Sequence, residues 1–256
     1  MRRVRVIPVL LIQNGGLVKS IKFKNHTYIG DPINAVKIFN EKEVDEIVIL
    51  DISATKEKQE PNLLQISEFA GEAFMPLSYG GGITTIEQIK SILYEGVEKV
   101  ILNTSVLDSL DLVTEAAKKF GSQSIVVSID TKKDWIGNYK VYRNNGKKKT
   151  SLSPVELAKK VELAGAGEIM LTAIDKDGTY LGYDIDITKQ VSNAVNLPLI
   201  ACGGASELTD FVDAINIGGA SAVAAGSFFV FQKPLRAVLI NYPSQKVLKN
   251  NVYSKL

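Results

Sequence analysis

Met75-Pro-Leu-Ser-Tyr-Gly-Gly-Gly-Ile83 decides the fold, because a short apolar run leads directly into three glycines and then into a helix start. Leu197-Pro-Leu-Ile-Ala-Cys-Gly-Gly-Ala205 has the same order of residue types, and Gly204 follows Gly82 at a spacing of 122 residues. Glycines after a strand let the backbone approach a ligand, and the N–H groups that begin the next helix attract anions. Two such strand ends predict a ligand with two phosphates. The alternative is that the glycines serve only tight turns.

The same spacing of 122 residues recurs elsewhere in the chain. The repeated pairs are Glu46-Ile47 with Glu168-Ile169, Pro76-Leu77 with Pro198-Leu199, and residues 99–104 with residues 221–226. Strand-like runs alternate with helical patterns throughout, which is typical of a parallel sheet with crossover helices.

Duplication of a four-strand half explains both observations. We therefore predict a single (βα)8 TIM barrel domain over residues 1–256, with half-barrels at about residues 1–122 and 123–242. Residues 243–256 form a basic tail that we expect to be helical or frayed. A doubly wound open sheet is the alternative fold, but it gives no reason for two equal halves.

Local signals predict helix starts and two excursions from the barrel. Asp31-Pro32, Thr84-Thr-Ile-Glu87 and Ser153-Pro-Val-Glu156 are typical helix N-termini, the last two as capping boxes. We expect residues 13–30 to form a long polar loop and residues 131–150 to form a surface hairpin.

The composition is that of an ordinary globular protein: 256 residues, 45% hydrophobic, 23% charged, with a formal net charge of +2. This balance does not indicate a nucleic-acid or membrane partner, and we expect neither. No apolar run is long enough to span a bilayer, and Met1-Arg-Arg-Val-Arg5 leads directly into a predicted strand instead of a signal peptide. We therefore expect a cytoplasmic protein.

Cys202 is the only cysteine and His26 the only histidine. A disulfide within the chain is therefore excluded. A zinc site built from Cys and His, or a Ser-His-Asp triad that uses His26, is disfavoured for the same reason. We expect no metal and no cofactor.

In a (βα)8 barrel, ligands bind at the C-terminal ends of the strands. The ends of strands three and four supply a first phosphate cradle, which consists of Gly82, Asn103 and Thr104. The ends of strands six to eight supply a second. Its predicted members are Gly178, Gly204, Ala225 and Gly226, with Thr172 and Asp177 as further substrate-binding candidates.

Carboxylates and one lysine lie between these cradles. Asp130 ends the fifth strand, where a buried carboxylate can act as a general acid or base. Asp51 ends the second strand and is a substrate-binding candidate. For both, the alternative is a carboxylate that accepts hydrogen bonds from loop N–H groups. Lys19, in the first loop, is predicted to close over a phosphate as a lid, although a solvated lysine would fit the same position.

Many short motifs resemble those of the HisF family, the cyclase subunit of imidazole glycerol phosphate synthase, over nearly the whole chain. They are residues 15–19, Gly30-Asp-Pro32, Leu50-Asp-Ile52, Gly80-Gly-Gly-Ile83, Asn103-Thr104, Phe120-Gly-Ser-Gln123, Ile129-Asp130, Gly165-Ala-Gly-Glu168 and Ile174-Asp-Lys-Asp-Gly-Thr179. The resemblance implies a heterodimer with a glutaminase subunit (HisH-like). Ammonia from that partner would pass through the barrel and react with a bis-phosphate substrate.

The resemblance also implies an ammonia gate at the opposite end of the barrel, formed by Arg5, Glu46, Lys99 and Glu168. Two acids and two bases could pair fully and still leave a pore for ammonia. The alternative is a network that only stabilises the fold, as is usual for that face of a barrel.

The first strand departs from the family pattern. Family cyclases use two aspartates; Asp130 matches one of them, but Leu11 stands where the other is expected. Leucine cannot transfer a proton, and the loss of a positioned acid or base typically costs roughly 10²–10⁴ in rate. Cys202 and Gly226 also stand where the family commonly has serine.

Leu10-Leu11, residues 14–24 and Tyr28-Ile-Gly-Asp-Pro32 resemble a divergent branch of the family. That branch accompanies a second glutaminase homologue and a sugar amidotransferase in surface-polysaccharide (lipopolysaccharide, O-antigen) synthesis. The resemblance implies ammonia delivery for converting an N-acetyl group to an acetamidino group.

Three other functions stay open. One is a working cyclase of histidine biosynthesis that uses Asp130 alone, or in which Asp51 or Asp177 substitutes. Another is a non-catalytic, phosphate-binding scaffold. The third is a sugar-phosphate isomerase of similar ancestry, which also needs paired aspartates and is therefore disfavoured by Leu11.

Overall fold

The computed structural model describes residues 4–232 and 235–256. Residues 1–3, which belong to the predicted run into the first strand, lie outside this part. In the described residues the strands are β1 (Arg5–Gln13), β2 (Gly16–Ile21), β3 (Lys24–Gly30), β4 (Ile47–Asp51), β5 (Leu77–Gly80), β6 (Lys99–Leu102), β7 (Ile125–Lys133), β8 (Tyr139–Arg143), β9 (Lys148–Lys149), β10 (Glu168–Ala173), β11 (Leu199–Cys202), β12 (Ala222–Ala225), β13 (Phe231–Gln232) and β14 (Ala237–Val238).

The α-helices alternate with these strands. They are α1 (Pro32–Glu41), α2 (Ala54–Glu57), α3 (Leu63–Glu72), α4 (Ile86–Tyr94), α5 (Asp111–Phe120), α6 (Pro154–Leu163), α7 (Ile185–Ser192), α8 (Leu208–Asn216), α9 (Ser227–Val230) and α10 (Gln245–Asn251). Short 3-10 turns occupy Thr104–Leu107, Ser122–Ser124 and Tyr253–Lys255. Helix α10 confirms that the tail is helical.

Eight parallel strands close into a barrel. Their order around it is β1, β4, β5, β6, β7, β10, β11 and β12, and β12 pairs again with β1. The predicted (βα)8 TIM barrel is therefore confirmed. The open-sheet alternative is wrong, because an open sheet would leave two unpaired edges where these strands join.

The apolar side chains form two separate cores. The inner core fills the barrel and consists of side chains that point inward from alternate strand positions, such as Ile7, Val9 and Leu11 of β1. The outer core lies between the strands and the helices, where large side chains such as Phe39 and Phe211 are fully buried. This arrangement explains why the barrel strands are continuously apolar: each buries both of its faces.

The pairing register places Leu11 and Asp130 at equivalent positions. Leu11 lies opposite Leu50 of the next barrel strand, and Asp130 lies opposite Thr172. Leu50 and Thr172 keep the spacing of 122 residues, whereas Leu11 and Asp130 are 119 residues apart. The sequence spacing of these two positions therefore departs from the repeat, although their positions in the pairing register are equivalent. The division into two half-barrels stays an interpretation of this repeat.

Two of the three predicted helix starts are confirmed. The Asp31 side chain accepts a hydrogen bond from Asn34 N at 2.8 Å, and Ser153 forms a capping box with Glu156. The prediction for α4 is wrong by one residue. Thr85 caps this helix and Gln88 completes the box, whereas Thr84 lies outside it.

The predicted polar loop at residues 13–30 is wrong. This segment forms the hairpin β2–β3, and β2 pairs antiparallel with the end of β1. Leu17 and Val18 are buried in this pairing, so the hairpin is part of the packed structure. The predicted hairpin at residues 131–150 is confirmed, since β8 pairs with the end of β7 and with β9.

A further observation concerns membranes. In neither of the two described ranges does a helix combine the length and the apolar character that crossing a bilayer requires.

Candidate functional site

A cavity of about 580 Å³ opens at the C-terminal ends of the barrel strands. Ten of the residues singled out from the sequence line its wall: Leu11, Lys19, Asp51, Gly82, Asn103, Thr104, Asp130, Thr172, Asp177 and Gly226. The three others predicted at this end, Gly178, Gly204 and Ala225, lie outside the lining. Most of the predicted site is therefore brought together around one space.

Asp130 is a buried carboxyl group at the centre of this site. Its Oδ2 accepts a hydrogen bond from Asn103 Nδ2 at 3.2 Å. Burial raises its pKa to about 7; the Asn103 hydrogen bond opposes this rise and the negative charge of Asp177 adds to it. A carboxyl group with such a pKa exchanges protons near neutral pH, as a general acid or base must.

Leu11 continues the inner apolar core up to the cavity. It is 8% exposed and packs in the same cluster as Val9 and Cys202. Burial raises the pKa of the Cys202 thiol to about 12, so this side chain is a neutral part of the wall. Opposite Asp130 the mouth therefore offers a hydrocarbon surface where a second carboxylate would have faced it.

The first cradle forms a wall of the cavity. Asn103 Nδ2 also donates to Ser128 O at 3.0 Å, which fixes the side chain against the neighbouring strand β7. Gly82 has a φ of +69°, and an added Cβ would lie 2.7 Å from Gln59 O. Backbone conformation and packing alone therefore require this glycine. A phosphate contact remains a prediction for Gly82 and for Thr104.

Asp51 is engaged in the loop that follows its strand. Its Oδ1 accepts hydrogen bonds from Ser53 N at 2.8 Å, from Ser53 Oγ at 2.6 Å and from Ala54 N at 3.1 Å. This geometry matches the loop-stabilising alternative for one carboxylate oxygen. Oδ2 is left for a ligand.

The second cradle is built differently from the first. Gly204 has a φ of +112° and lies against Gly182 O, and Gly178 has a φ of +71° and lies against Ser20 O. Both glycines are therefore explained by close backbone packing behind the cavity wall. Ala225 is the last residue of β12 and is buried. Thr172, Asp177 and Gly226 face the cavity.

Lys19 is not a lid residue on a loop. It lies in β2 and is only 3% exposed, with Nζ 3.9 Å from Asp177 Oδ1. A Cβ at position 226 would overlap the end of the Lys19 side chain, and Gly226 has a φ of −106°, which any residue adopts. The missing side chain at position 226 therefore makes room for the lysine. The lid prediction fails because β2 pairs with β1 and fixes Lys19 at the mouth.

Three buried polar atoms near Lys19 have no hydrogen-bond partner among the described residues: Ser20 Oγ, Asp177 Oδ2 and Ser227 Oγ. They belong to the elements that surround the second cradle. Hydroxyl groups and an ammonium can donate to phosphate oxygens, so these groups have the chemistry that a phosphate needs. The carboxylate of Asp177 would repel the same anion unless Lys19 or a proton balanced its charge.

The four predicted gate residues form a closed ring of ion pairs at the other end of the barrel. Arg5 contacts Glu46 and Glu168, and Lys99 Nζ lies 3.0 Å from a carboxylate oxygen of each. Ser78 Oγ also donates to Glu46 at 2.8 Å. Burial by itself would lower the pKa of Arg5. The hydrogen bonds and charges of Glu168 and Glu46 raise it by more than this, so the guanidinium stays protonated.

Inner-core side chains such as Ile7, Val48 and Val126 separate this ring from the cavity. None of the four ring residues belongs to the cavity wall.

Arg143 and Asp108 are charged residues of the cavity wall that the sequence analysis did not single out. Arg143 of β8 lies in the wall and pairs with Asp108, which follows the first cradle. A hairpin is visible in the sequence, but the direction in which its arginine points depends on how the hairpin folds over the barrel. Within the described ranges, no three His, Cys, Asp or Glu side chains are grouped so as to hold a metal ion.

Comparison with known proteins identifies the family. The family model described as "Histidine biosynthesis protein" matches residues 5–234. A provisionally named imidazole glycerol phosphate synthase subunit hisF2 of Pseudomonas aeruginosa is 51% identical, over 95% of this chain and 97% of that protein. Imidazole glycerol phosphate synthase subunit HisF of Hydrogenobaculum is 42% identical, over 98% of both chains. The chain therefore belongs to the HisF family of imidazole glycerol phosphate synthase subunits.

Proposed function

We propose that the chain is the synthase subunit of a glutamine amidotransferase complex and that it receives ammonia through the barrel from a HisH-like glutaminase. We further propose that it delivers this ammonia for amidation of an N-acetyl sugar and does not cyclise a histidine precursor. The observation that carries this proposal is the contrast between the two ends of the barrel. The charged ring is complete, whereas Leu11 occupies the position equivalent to Asp130.

The ring end also has a surface suited to a partner. Phe74 precedes β5, Tyr94 ends α4 and Leu163 ends α6, so all three lie where the helices return to the starts of the strands. Each of these large side chains is exposed. Exposed aromatic and aliphatic side chains are typical contacts in protein interfaces. We place the glutaminase on this face, as a heterodimer partner.

The apolar inner core suits the transport of a small neutral molecule. The inner-core side chains between the ring and the cavity are apolar, and Ser78 and Ser128 are buried polar residues beside them. Such a lining favours ammonia over the ammonium ion, because burying an unpaired charge is costly. All four ring residues are paired, and we propose that one of these ion pairs opens to let ammonia pass. Partner binding on the same face would supply that change.

A working cyclase is the second candidate, because the pKa of Asp130, raised to about 7, suits a general acid or base. The two phosphate cradles would anchor both ends of its bis-phosphate substrate. Each charge-assisted hydrogen bond to a phosphate is worth roughly 1.5–3 kcal/mol. A phosphate-binding scaffold without catalysis is the third candidate.

Turnover of the histidine-pathway bis-phosphate substrate, with ammonium as the nitrogen source, tests these candidates. The native chain is compared with Leu11→Asp and with Leu50→Asp as the matched control. Leu50 lies beside Leu11 in the pairing register and lines the same cavity. The control therefore adds the same charge to the neighbouring strand, at a position that is not equivalent to Asp130.

We expect turnover by Leu11→Asp to exceed that of the native chain and of Leu50→Asp by about 10²-fold or more, because Leu11→Asp restores the second carboxylate. Turnover by the native chain at a rate typical of its family would overturn the amidation proposal in favour of the cyclase. A native chain that fails to stimulate a co-purified glutaminase would instead favour the scaffold.

A further inference from the structure

The turn between β8 and β9 crosses the mouth of the barrel and is attached on two sides. Asn144 N donates to Thr104 Oγ1 of the first cradle at 3.3 Å. The side-chain amide of Asn145 donates to Ile52 O, beyond the end of β4, at 2.6 Å. Both asparagines have a φ of 54°, a conformation that asparagine tolerates well. The turn therefore holds Arg143, the residue before it, close to the first cradle.

The charges of the cavity wall leave the first cradle with one strong cation. The described part of the wall carries two such cations, Lys19 and Arg143, and four carboxylates, Asp51, Asp108, Asp130 and Asp177. Lys19 lies against Gly226 in the second cradle. His26 is also in the wall, but burial and the neighbouring lysines lower its pKa, so it is neutral at pH 7. Of the two strong cations in the described wall, Arg143 is therefore the one that lies beside the first cradle.

Arg143 has donors that a ligand can use. Its Nη1 and Nη2 donate to the two carboxylate oxygens of Asp108 at 2.7 Å each. Its Nε is buried and has no hydrogen-bond partner among the described residues. A buried donor without an acceptor is unfavourable, and the pair with Asp108, whose side chain is 63% exposed, leaves Nε unsatisfied. Replacing Asp108 by a better acceptor would therefore satisfy the guanidinium more completely.

We propose that Arg143 is an anion-binding, specificity-determining residue, which exchanges Asp108 for a phosphate dianion in the first cradle. Asp108 keeps the guanidinium oriented while the cradle is empty and turns to water when the phosphate binds. The planar guanidinium then donates to two phosphate oxygens, a geometry that favours an anionic end such as a terminal phosphate over a neutral sugar end. This inference rests on the proposed function only for the identity of the complete ligand.

The competing explanation is that Arg143 and Asp108 only clip the hairpin to the barrel. The two explanations predict opposite behaviour for the two partners. If the ion pair is only a clip, Arg143→Gln and Asp108→Asn break the same contact and have the same effect. If Arg143 binds the anion, Asp108 competes with the ligand, and its neutralisation strengthens binding.

Titration of the full chain with inorganic phosphate, followed by NMR, distinguishes these explanations. The backbone amide signal of Thr104 reports on the first cradle and that of Gly178 on the second. Lys149→Gln is the matched control, since it removes one positive charge from exposed β9 of the same excursion. The titration uses neither glutamine nor ammonia, so its result is independent of the turnover experiment above.

We expect Arg143→Gln to raise the dissociation constant reported by Thr104 by about tenfold or more, and Asp108→Asn to lower it. Lys149→Gln should leave it within about twofold, and the Gly178 signal should respond alike in all variants. Equal weakening by Arg143→Gln and Asp108→Asn would overturn the proposal. So would a native chain whose Thr104 signal does not respond to phosphate.

Discussion

At the scale of single residues, Leu11 and Asp130 show how one side chain changes the chemistry of a fixed position. The pairing register makes the two positions equivalent, and both side chains point into the barrel mouth. Leu11 adds hydrocarbon to the surroundings of Asp130. The raised pKa of Asp130 comes from burial and from the charge of Asp177, and a second carboxylate at position 11 would add a further like charge.

The raised pKa of Asp130 predicts a pH dependence of stability. Its pKa is about 7 in the folded chain, against 3.8 as its ordinary value. The folded state therefore binds the proton more tightly than the unfolded state. This contribution to stability is fully present below pH 3.8 and is lost as the pH rises through 7. Between about pH 5 and 8 the loss amounts to roughly 2–3 kcal/mol.

Urea unfolding of the native chain and of Asp130→Asn, at several pH values, measures this contribution. The free energy of unfolding of the native chain should fall with rising pH relative to the variant, because asparagine does not titrate. Other titrating groups cancel in the difference. If the difference between the two chains stays constant from about pH 5 to 8, the carboxyl group of Asp130 has an ordinary pKa.

At the scale of elements, helix α4 shows that a capping motif can be recognised and still be placed one residue too early. Both Thr84 and Thr85 are followed, three residues later, by a side chain that can complete a capping box, Glu87 or Gln88. The structure uses the second pair, in which Gln88 N donates to Thr85 Oγ1 at 3.2 Å. Ile86 and Ile89 can then be buried against the barrel. Tertiary packing therefore selects between two locally similar starts.

We predict that Thr85→Ala lowers the free energy of unfolding by about 1 kcal/mol, because an orphan N–H at the start of α4 loses its acceptor. Thr84→Ala is the matched control and should cost less than about 0.5 kcal/mol, since its hydroxyl makes only an exposed contact of 3.3 Å with Gln88. Denaturant unfolding of both variants checks the prediction. A larger loss for Thr84→Ala would place the cap where the sequence first indicated it.

The sequence of hairpin β2–β3 predicts a polar loop because its apolar residues are few. Leu17 and Val18 stand among glycine, lysine and serine, and the segment carries no long alternation. It becomes a hairpin because the unusually long first strand, β1, extends beyond the barrel and offers β2 an edge to pair with. Strand β7 does the same for β8. Strands β1 and β7 thus carry the two hairpins that enclose the cavity.

At the scale of the whole molecule, the charged ring joins parts of the chain that are far apart in sequence. Arg5, Glu46, Lys99 and Glu168 come from or directly precede four strands, and each acid contacts both bases. Both carboxylates are nearly inaccessible to water, so each depends on its cations. A buried carboxylate that loses a partner is strongly destabilising, whereas an exposed one is not.

Lys99→Met should therefore lower the free energy of unfolding by roughly 2–4 kcal/mol, with some relief from solvent because Lys99 is 18% exposed. The matched control is Lys37→Met, which breaks the exposed pair of Lys37 with Glu72 and should cost less than about 1 kcal/mol. Combining Lys99→Met with Glu168→Gln should recover part of the loss. Equal costs for the two lysine variants would contradict a buried, mutually dependent ring.

Local sequence patterns predict the barrel, most of the strand ends and ten of the residues that line the cavity. These depend on local pattern: apolar runs of strand length, glycines with positive φ and helix caps are all set by neighbours along the chain. The resemblance to HisF added the four members of the ring. Neither source, however, gave the environment of a side chain.

Which side chains meet in the site depends on the tertiary structure. Lys19 lies in the buried strand β2 beside Gly226 and not in a lid, and Gly178 and Gly204 pack behind the cavity wall. The tertiary structure also brought Arg143 over the first cradle. These contacts join residues that are 35 to more than 200 positions apart, such as Arg143 with Asp108 and Lys19 with Gly226. Closure of the barrel sets their distances, and burial then sets their charges, so no local pattern can encode them.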